Sequence, residues 1–313
     1  MIELSSAGLN HPQTGQPMLV GASLAVAPGQ LAVIHGGDAV RTASLTAAMV
    51  GEAAVAAGAI SLFGNVVHRL RRASLRVLRR HVGIVPHNLA LLPDRSALHN
   101  VSLPLEMDGI SRRVACMRAA ELLDQLELAA EQDAPLEQLS WAGRQRVAVA
   151  RAMVRLPHAV IADQPTSLQD EHGTSLIARM LERAAERGAA VLVLSRDALL
   201  RQCADVRGWA QWAWHDSVLV ADGHAVAADA IFVDDIGVAG KLTGGVVGQY
   251  ADDGSIDVQF DSAPVAAPVV SAVTAMTPSA QVRAAARGYA VDATDAVPHR
   301  VGFPLTARTV GAP

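Results

Sequence analysis

Four short runs of consecutive apolar residues constrain this chain more than anything else in it. They are Leu31-Ala32-Val33-Ile34, Val82-Gly83-Ile84-Val85, Ala159-Val160-Ile161-Ala162 and Val191-Leu192-Val193-Leu194. A strand with one face in water alternates polar and apolar residues, whereas an unbroken apolar run suits a parallel strand covered on both faces. Amphipathic helical patterns lie between the runs. Ser111 is placed to cap one helix with apolar positions at Val114, Met117, Leu122, Leu123 and Leu126. A second sets Val147, Ala150 and Val154 on one face, and a third carries Leu176, Ile177, Met180, Leu181 and Ala184 before stopping at Gly188. Strands separated by helices predict an α/β domain with a mostly parallel sheet and flanking helices. Before residue 30 and around residues 59–67 the pattern is strand-like, which predicts a small N-terminal antiparallel β layer.

At 313 residues the chain is long enough for one such domain and an appendage. A net charge of -4 excludes a general nucleic-acid binder, which needs a large positive excess to track phosphates. Cys116 and Cys203 lie far apart and read as two free thiols in a reducing compartment. Met1 to Leu4 reads as a strand with no secretory pattern, and the small-residue stretch Ala53 to Phe63 is too short and glycine-broken to span a bilayer. A cytoplasmic protein is expected, one that could dock on a membrane protein. The character changes after Gly223, giving three expected regions. Residues 1–223 form the main domain. Residues 224–262 form a small β-rich extension with strand-like pieces at Ile231 to Val233, Val246-Val247 and Ile256 to Phe260. Residues 263–313, rich in Ala, Val and Pro, read as a flexible tail with a short helix near Gln281 to Ala286.

Four segments resemble a known family in order and spacing over roughly the first 225 residues. APGQLAVIHGGDAVRTASLTAAMVG (Ala27 to Gly51) is similar to the first strand, phosphate loop and helix of ATP-binding-cassette (ABC) ATPases. GIVPHNLALLPDRSALHNVSLPLEMDG (Gly83 to Gly109) resembles their Q-loop and the entrance to the helical subdomain, in the manner of the FtsE/LolD-type subgroup. LEQLSWAGRQRVAVARAMVRLPHAVIADQPTSLQD (Leu136 to Asp170) resembles the signature helix and Walker B strand, and VLVLSRD (Val191 to Asp197) the switch strand. The resemblance implies a P-loop NTPase-like fold with a helical subdomain at about residues 88–142, and ATP with Mg²⁺ as the ligand. Fold alone does not fix activity.

Position by position, the resemblance assigns roles that the residues fill unevenly. A phosphate loop needs glycines whose N–H groups turn inward, a lysine for the β and γ phosphates, and a hydroxyl on Mg²⁺. Gly36 holds the first glycine position and Gly37 follows it, but Ala39 and Arg41 stand at the next two glycines, Thr42 at the lysine and Ala43 at the hydroxyl, followed by Ser44. The only lysine in the chain is Lys241, so no local shift restores the cation; a one-residue slip would put Arg41 and Thr42 in the lysine and hydroxyl roles. Asp163 matches the Walker B aspartate that would face Mg²⁺, while Gln164 stands at the catalytic glutamate, where an amide cannot act as general base. Asp170 matches the D-loop aspartate. Ser140 survives in a signature that reads Leu139-Ser140-Trp141-Ala142-Gly143. His87 stands at the Q-loop glutamine and Arg196 at the switch histidine; the adenine-stacking aromatic falls at about His11.

Each of these has a plainer reading. His87 with no second ligand nearby is a loop residue. Arg196 could touch a γ-phosphate or pair with Asp197 or Asp163. The arginine run Arg69, Arg71, Arg72, Arg76, Arg79 and Arg80 reads as a solvated helix face, with anionic phospholipid as the alternative. Trp209, Trp212 and Trp214 read as packing or partner surface. The function expected is a pseudo-ATPase cassette subunit that scaffolds or regulates a permease-like (FtsX-like) transmembrane partner through about Leu89 to Asp108. It would work at the inner face of the membrane, as a homodimer or a heterodimer with another ABC ATPase. The alternatives are an active transporter ATPase using Arg41, Ser44, Asp163 and Asp170, and a decaying paralogue without a stable partner.

Overall fold

A computed structural model describes residues 1–222 and two short strands, Gly248–Tyr250 and Ile256–Val258. The four apolar runs all become strands of one six-stranded sheet: β3 (Leu31–Gly36), β6 (Val82–Val85), β7 (Ala159–Asp163) and β8 (Ala190–Ser195). Together with β9 (Ala210–His215) and β10 (Val218–Ala221) they take the order β10-β9-β3-β8-β7-β6. Pairing is parallel from β9 through β6, and only the edge hairpin β9–β10 is antiparallel. The reason is burial on both faces: every residue of β7 and β8 is buried. Alternate residues of these strands enter two different cores.

One core lies against the antiparallel sheet β2-β1-β4-β5, built from β1 (Ile2–Asn10), β2 (Pro17–Val26), β4 (Ala57–Leu62) and β5 (Asn65–Val66). Between this layer and the main sheet sits α1 (Ala39–Met49), which buries Leu45, Ala48 and Met49. The other core holds α3 (Ala97–Met107), α4 (Arg112–Gln125), α5 (Trp141–Met153) and α6 (Glu171–Glu186). Helices α3 and α4 fall within residues 88–142. α2 (Arg72–Arg80) precedes β6, and α7 (Ala198–Arg207) links β8 to β9.

Two helices follow their sequence pattern closely. Val147, Ala150 and Val154 are buried along α5, and α6 buries all five expected apolar positions before Gly188 takes φ +93°. α4 differs. Its buried face is Ala115, Ala119 and Leu123, while Met117 is 56% exposed. The expected Leu123 and Leu126 are fully buried and Leu122 packs against the core, while nearer the start of the helix Ala115 and Ala119 take the buried places. Ser111 is the N-cap residue of α4, yet its side chain makes no capping hydrogen bond.

The strands Gly248–Tyr250 and Ile256–Val258 form an antiparallel pair. The other readings for residues 224–313, including the strand at Ile231 to Val233 and the helix near Gln281, lie outside the described residues. Among those described, no helix is long and apolar enough to cross a membrane.

Candidate functional site

The C-terminal ends of β3, β7 and β8 converge, as parallel strands with helices on both faces require. They bring together the β3–α1 turn, Asp163-Gln164 and Ser195-Arg196. The β3–α1 turn is short. Gly36 and Gly37 take φ +85° and +70°, a conformation that residues with a Cβ adopt only under strain. Asp38 then caps a helix that begins at Ala39. The Asp38 carboxylate accepts the Arg41 amide hydrogen at 2.9 Å, and the Asp38 carbonyl accepts that of Thr42 at 3.1 Å. The Arg41 guanidinium lies 3.7 Å from the same carboxylate.

Trp214 of β9 closes the turn from beneath. A Cβ at Gly37 would sit 3.1 Å from its ring, and one at Gly36 would sit 3.3 Å from its backbone oxygen. Thr42 is fully buried and directs its hydroxyl to the Ala39 carbonyl at 3.4 Å, while Ala43 is exposed and Ser44 half-buried. Upstream, His35 shares a 2.8 Å hydrogen bond with Gln211, whose amide donates to Asp205 at 2.8 Å. Burial pulls the His35 pKa below its ordinary value, against the hydrogen bond to Gln211, which raises it.

Asp163 is 1% exposed, and neither carboxylate oxygen completes a hydrogen bond among the described residues. Burial raises its pKa; the nearby Thr42 hydroxyl and the charges of His87 and Arg196 act the other way. Gln164 is buried at φ +54° and tied in place. Its side-chain oxygen accepts the Arg196 amide hydrogen at 3.0 Å, its own amide donates to the Leu194 carbonyl at 2.8 Å, and its carbonyl accepts from the Gln145 side chain at 2.7 Å. Gln145, from α5, also donates to Ser167 at 3.1 Å and accepts from Gln169 at 2.9 Å. One buried glutamine thus fastens the start of α5 to the segment after β7.

The remaining candidates are set around this centre. Ser140 caps α5, accepting the Gly143 amide hydrogen at 3.0 Å, and Asp170 caps α6, accepting that of Gly173 at 2.7 Å. His87 is exposed in the loop after β6. Arg196 is exposed and has no carboxylate within 4.0 Å among the described residues, so the expected pair with Asp197 or Asp163 does not form. Asp197 instead caps α7 and accepts the Thr166 hydroxyl. His11 lies in the β1–β2 turn, where its Nδ1 accepts the Gln13 amide hydrogen at 3.2 Å.

The ABC transporter family model matches residues 19–167. The cell division ATP-binding protein FtsE of Streptococcus pneumoniae serotype 2 is 30% identical over 183 residues, covering 58% of this chain and 80% of FtsE. This chain belongs to the ABC transporter ATP-binding family. The lipoprotein-releasing system ATP-binding protein LolD of Maricaulis maris is 35% identical over 58% of the chain and 80% of LolD. Among solved structures, the dimeric bacterial ABC transporter cassette MJ0796 aligns with a TM-score of 0.64 at 25% identity, over 70% of this chain and 96% of that one.

Measured against what an ABC cassette asks of Mg-ATP, the site divides. Asp163, buried with two open oxygens, suits a cation. The β3–α1 turn does not suit a triphosphate. It ends three residues after its first glycine, its one cation is paired with Asp38, and the position for the Mg²⁺ hydroxyl is the methyl of Ala43. The residues present therefore do not make a Mg-ATP site. For the register slip that would use Arg41 and Thr42, the Arg41 guanidinium lies against Asp38, while the Thr42 hydroxyl reaches the Ala39 carbonyl and lies beside Asp163.

Sequence reasoning missed three participants. Asp38 carried a legible signal, an aspartate directly before a helix. Trp214 and Gln145 act across long separations, and their contacts leave no local pattern.

Proposed function

We propose that the chain is a cassette subunit that does not turn over ATP and serves as scaffold or regulator of a permease-like, FtsX-like transmembrane partner. The observation that carries this reading is the Asp38 carboxylate on the first turn of α1. A helix N-terminus attracts anions through its free amides and its dipole. Here the chain's own carboxylate holds that place, 2.9 Å from the Arg41 amide. A phosphate would have to displace it against like charge. Gln164 adds to this: a side-chain amide cannot take a proton from water.

Support for docking comes from a cleft of about 200 Å³ lined by Leu92, Leu103, Pro104 and Met107, within the segment Leu89 to Asp108. Met107 at its rim is 70% exposed, an uncommon position for a methionine without a partner. Such a partner would hold the subunit at the inner face of the membrane. Pairing with a second cassette, identical or not, is supported by exposed Trp141 and Leu168 beside Ser140 and Asp170, at 64% and 50% exposure. The net charge of -4 argues against nucleic acid as a ligand.

The alternative, an active transporter ATPase, draws on one observation: Asp163 is a buried carboxylate for which neither oxygen completes a hydrogen bond among the described residues. Phosphate release separates the two. Purified chain with Mg-ATP should release no more phosphate than its Asp163→Ala variant. Turnover that disappears in Asp163→Ala would establish the ATPase instead.

A further inference from the structure

From its arrangement of arginines we infer that α2 is a contact surface for anionic phospholipid headgroups. Five arginines, Arg69, Arg71, Arg72, Arg76 and Arg80, are exposed within twelve residues of a chain whose net charge is -4. The side chains of Arg69, Arg71, Arg72 and Arg76 make no hydrogen bond or ion pair with the described residues. Arg79, by contrast, is structural: its Nε donates to the Val50 carbonyl at 2.7 Å at the end of α1.

The placement works against the helix. Arg71 is the N-cap residue and Arg72 opens the first turn, with no acidic residue there, although cations at a helix N-terminus oppose the dipole. Arg72, Arg76 and Arg80 then fall at i, i+4 and i+8, a spacing at which like charges repel. A solvated face has no need of either arrangement, because alternating signs would serve it better. Both are accounted for if the positive charge meets an anionic surface. Val77, 45% exposed among the arginines, adds an apolar side chain of the kind that interfacial helices press into the headgroup layer. No exposed aromatic accompanies the arginines in α2 to stack a base, which separates this face from a single-stranded nucleic-acid groove.

Position supplies the second argument. Arg80 lies 3.9 Å from Asp108, and Asp108 is held by Arg155 at 2.7 Å. Arg155 in turn donates to the Pro104 carbonyl at 2.8 Å, on the wall of the apolar cleft. The basic helix is therefore continuous with the rim of the proposed docking cleft, and runs about 13 Å from it at 1.5 Å per residue. A membrane partner seated in the cleft would bring headgroups to α2, so the inference leans on the proposed docking. Its test does not.

Full-length chain is sedimented with vesicles of phosphatidylcholine alone, or with one third phosphatidylglycerol. Binding is expected only to the anionic vesicles and should weaken as salt rises. Each arginine near an anionic leaflet contributes roughly five-fold in affinity, so neutralising Arg71, Arg72 and Arg76 to Gln should lower binding about 100-fold. Because these side chains have no hydrogen-bond or ion-pair partners among the described residues, the triple variant should keep its melting temperature, or raise it slightly. Met107→Asp, which alters the cleft and not α2, should leave vesicle binding unchanged while removing any partner bound there. Equal binding by the triple variant and the parent, or failure to bind anionic vesicles, would overturn the inference. So would arginine-dependent binding to an oligonucleotide in place of vesicles.

Discussion

Asp38 and Arg41 are bound to each other twice, backbone amide to carboxylate at 2.9 Å and guanidinium to carboxylate at 3.7 Å. The first contact closes the N-terminus of α1, and the second neutralises the one cation in the turn. Both follow from a single local event. The helix starts at Ala39 and draws Thr42 into its buried face. The turn keeps its strand-to-helix role and gives up the inward ring of amides.

If Asp38 is the cap, its removal should be felt as lost stability. Asp38→Ala should cost about 1 kcal/mol in urea denaturation, and Asp38→Asn, which can still accept the Arg41 amide hydrogen, distinctly less. Equal stability of Asp38→Ala and the parent would mean that α1 begins elsewhere.

Gln145 should be far less replaceable. It is 2% exposed and joins Gln164, Ser167, Leu168 and Gln169, so Gln145→Ala removes four hydrogen bonds at once. The expected loss is about 2–3 kcal/mol. Gln145→Glu should cost at least as much, since a carboxylate cannot donate to the Gln164 carbonyl and carries charge into a buried site.

Acid sensitivity should trace in part to His35. Its native pKa lies below the ordinary 6.5 because burial disfavours the charged ring. Above 6.5 the ring is neutral in both states and stability is unaffected. As pH falls below that value the unfolded chain binds the proton first, and stability declines. His35→Gln should therefore show a smaller drop in urea midpoint between pH 8 and pH 5.5 than the parent. His81, lowered by burial and by His158, contributes in the same direction to both proteins and cancels in the comparison.

The strands were legible in the sequence because a double-sided core favours apolar residues, and β7 and β8 depart from that only at their last residues, Asp163 and Ser195. The six-residue β9 was not, since Trp212 and Trp214 read only as packing or partner surface until β3 pairs with them at Ile34 and Gly36. The face of α4 was legible at Leu123 and Leu126 but not at Met117, which is exposed while Ala115 and Ala119 are buried. At the site, the substitutions at Thr42, Ala43 and Gln164 were visible one by one. What replaces the missing ligand contacts was not. Gln164 to Arg196 and Trp214 to Gly37 span 32 and 177 positions, distances over which no periodicity carries information.

Docking at the cleft should depend on its exposed rim. Met107→Asp should leave the melting temperature unchanged, because Met107 is 70% exposed, yet abolish co-purification with a membrane protein. Unaltered co-purification would place the partner contact on another surface.

The central claim is that the turn from Gly36 to Arg41 offers a triphosphate too few free amides and no free cation. Calorimetric titration of the full chain with Mg-ATP tests it most directly. The account predicts no saturable heat up to millimolar nucleotide. Saturation in the micromolar range, lost on Asp163→Ala, would contradict it.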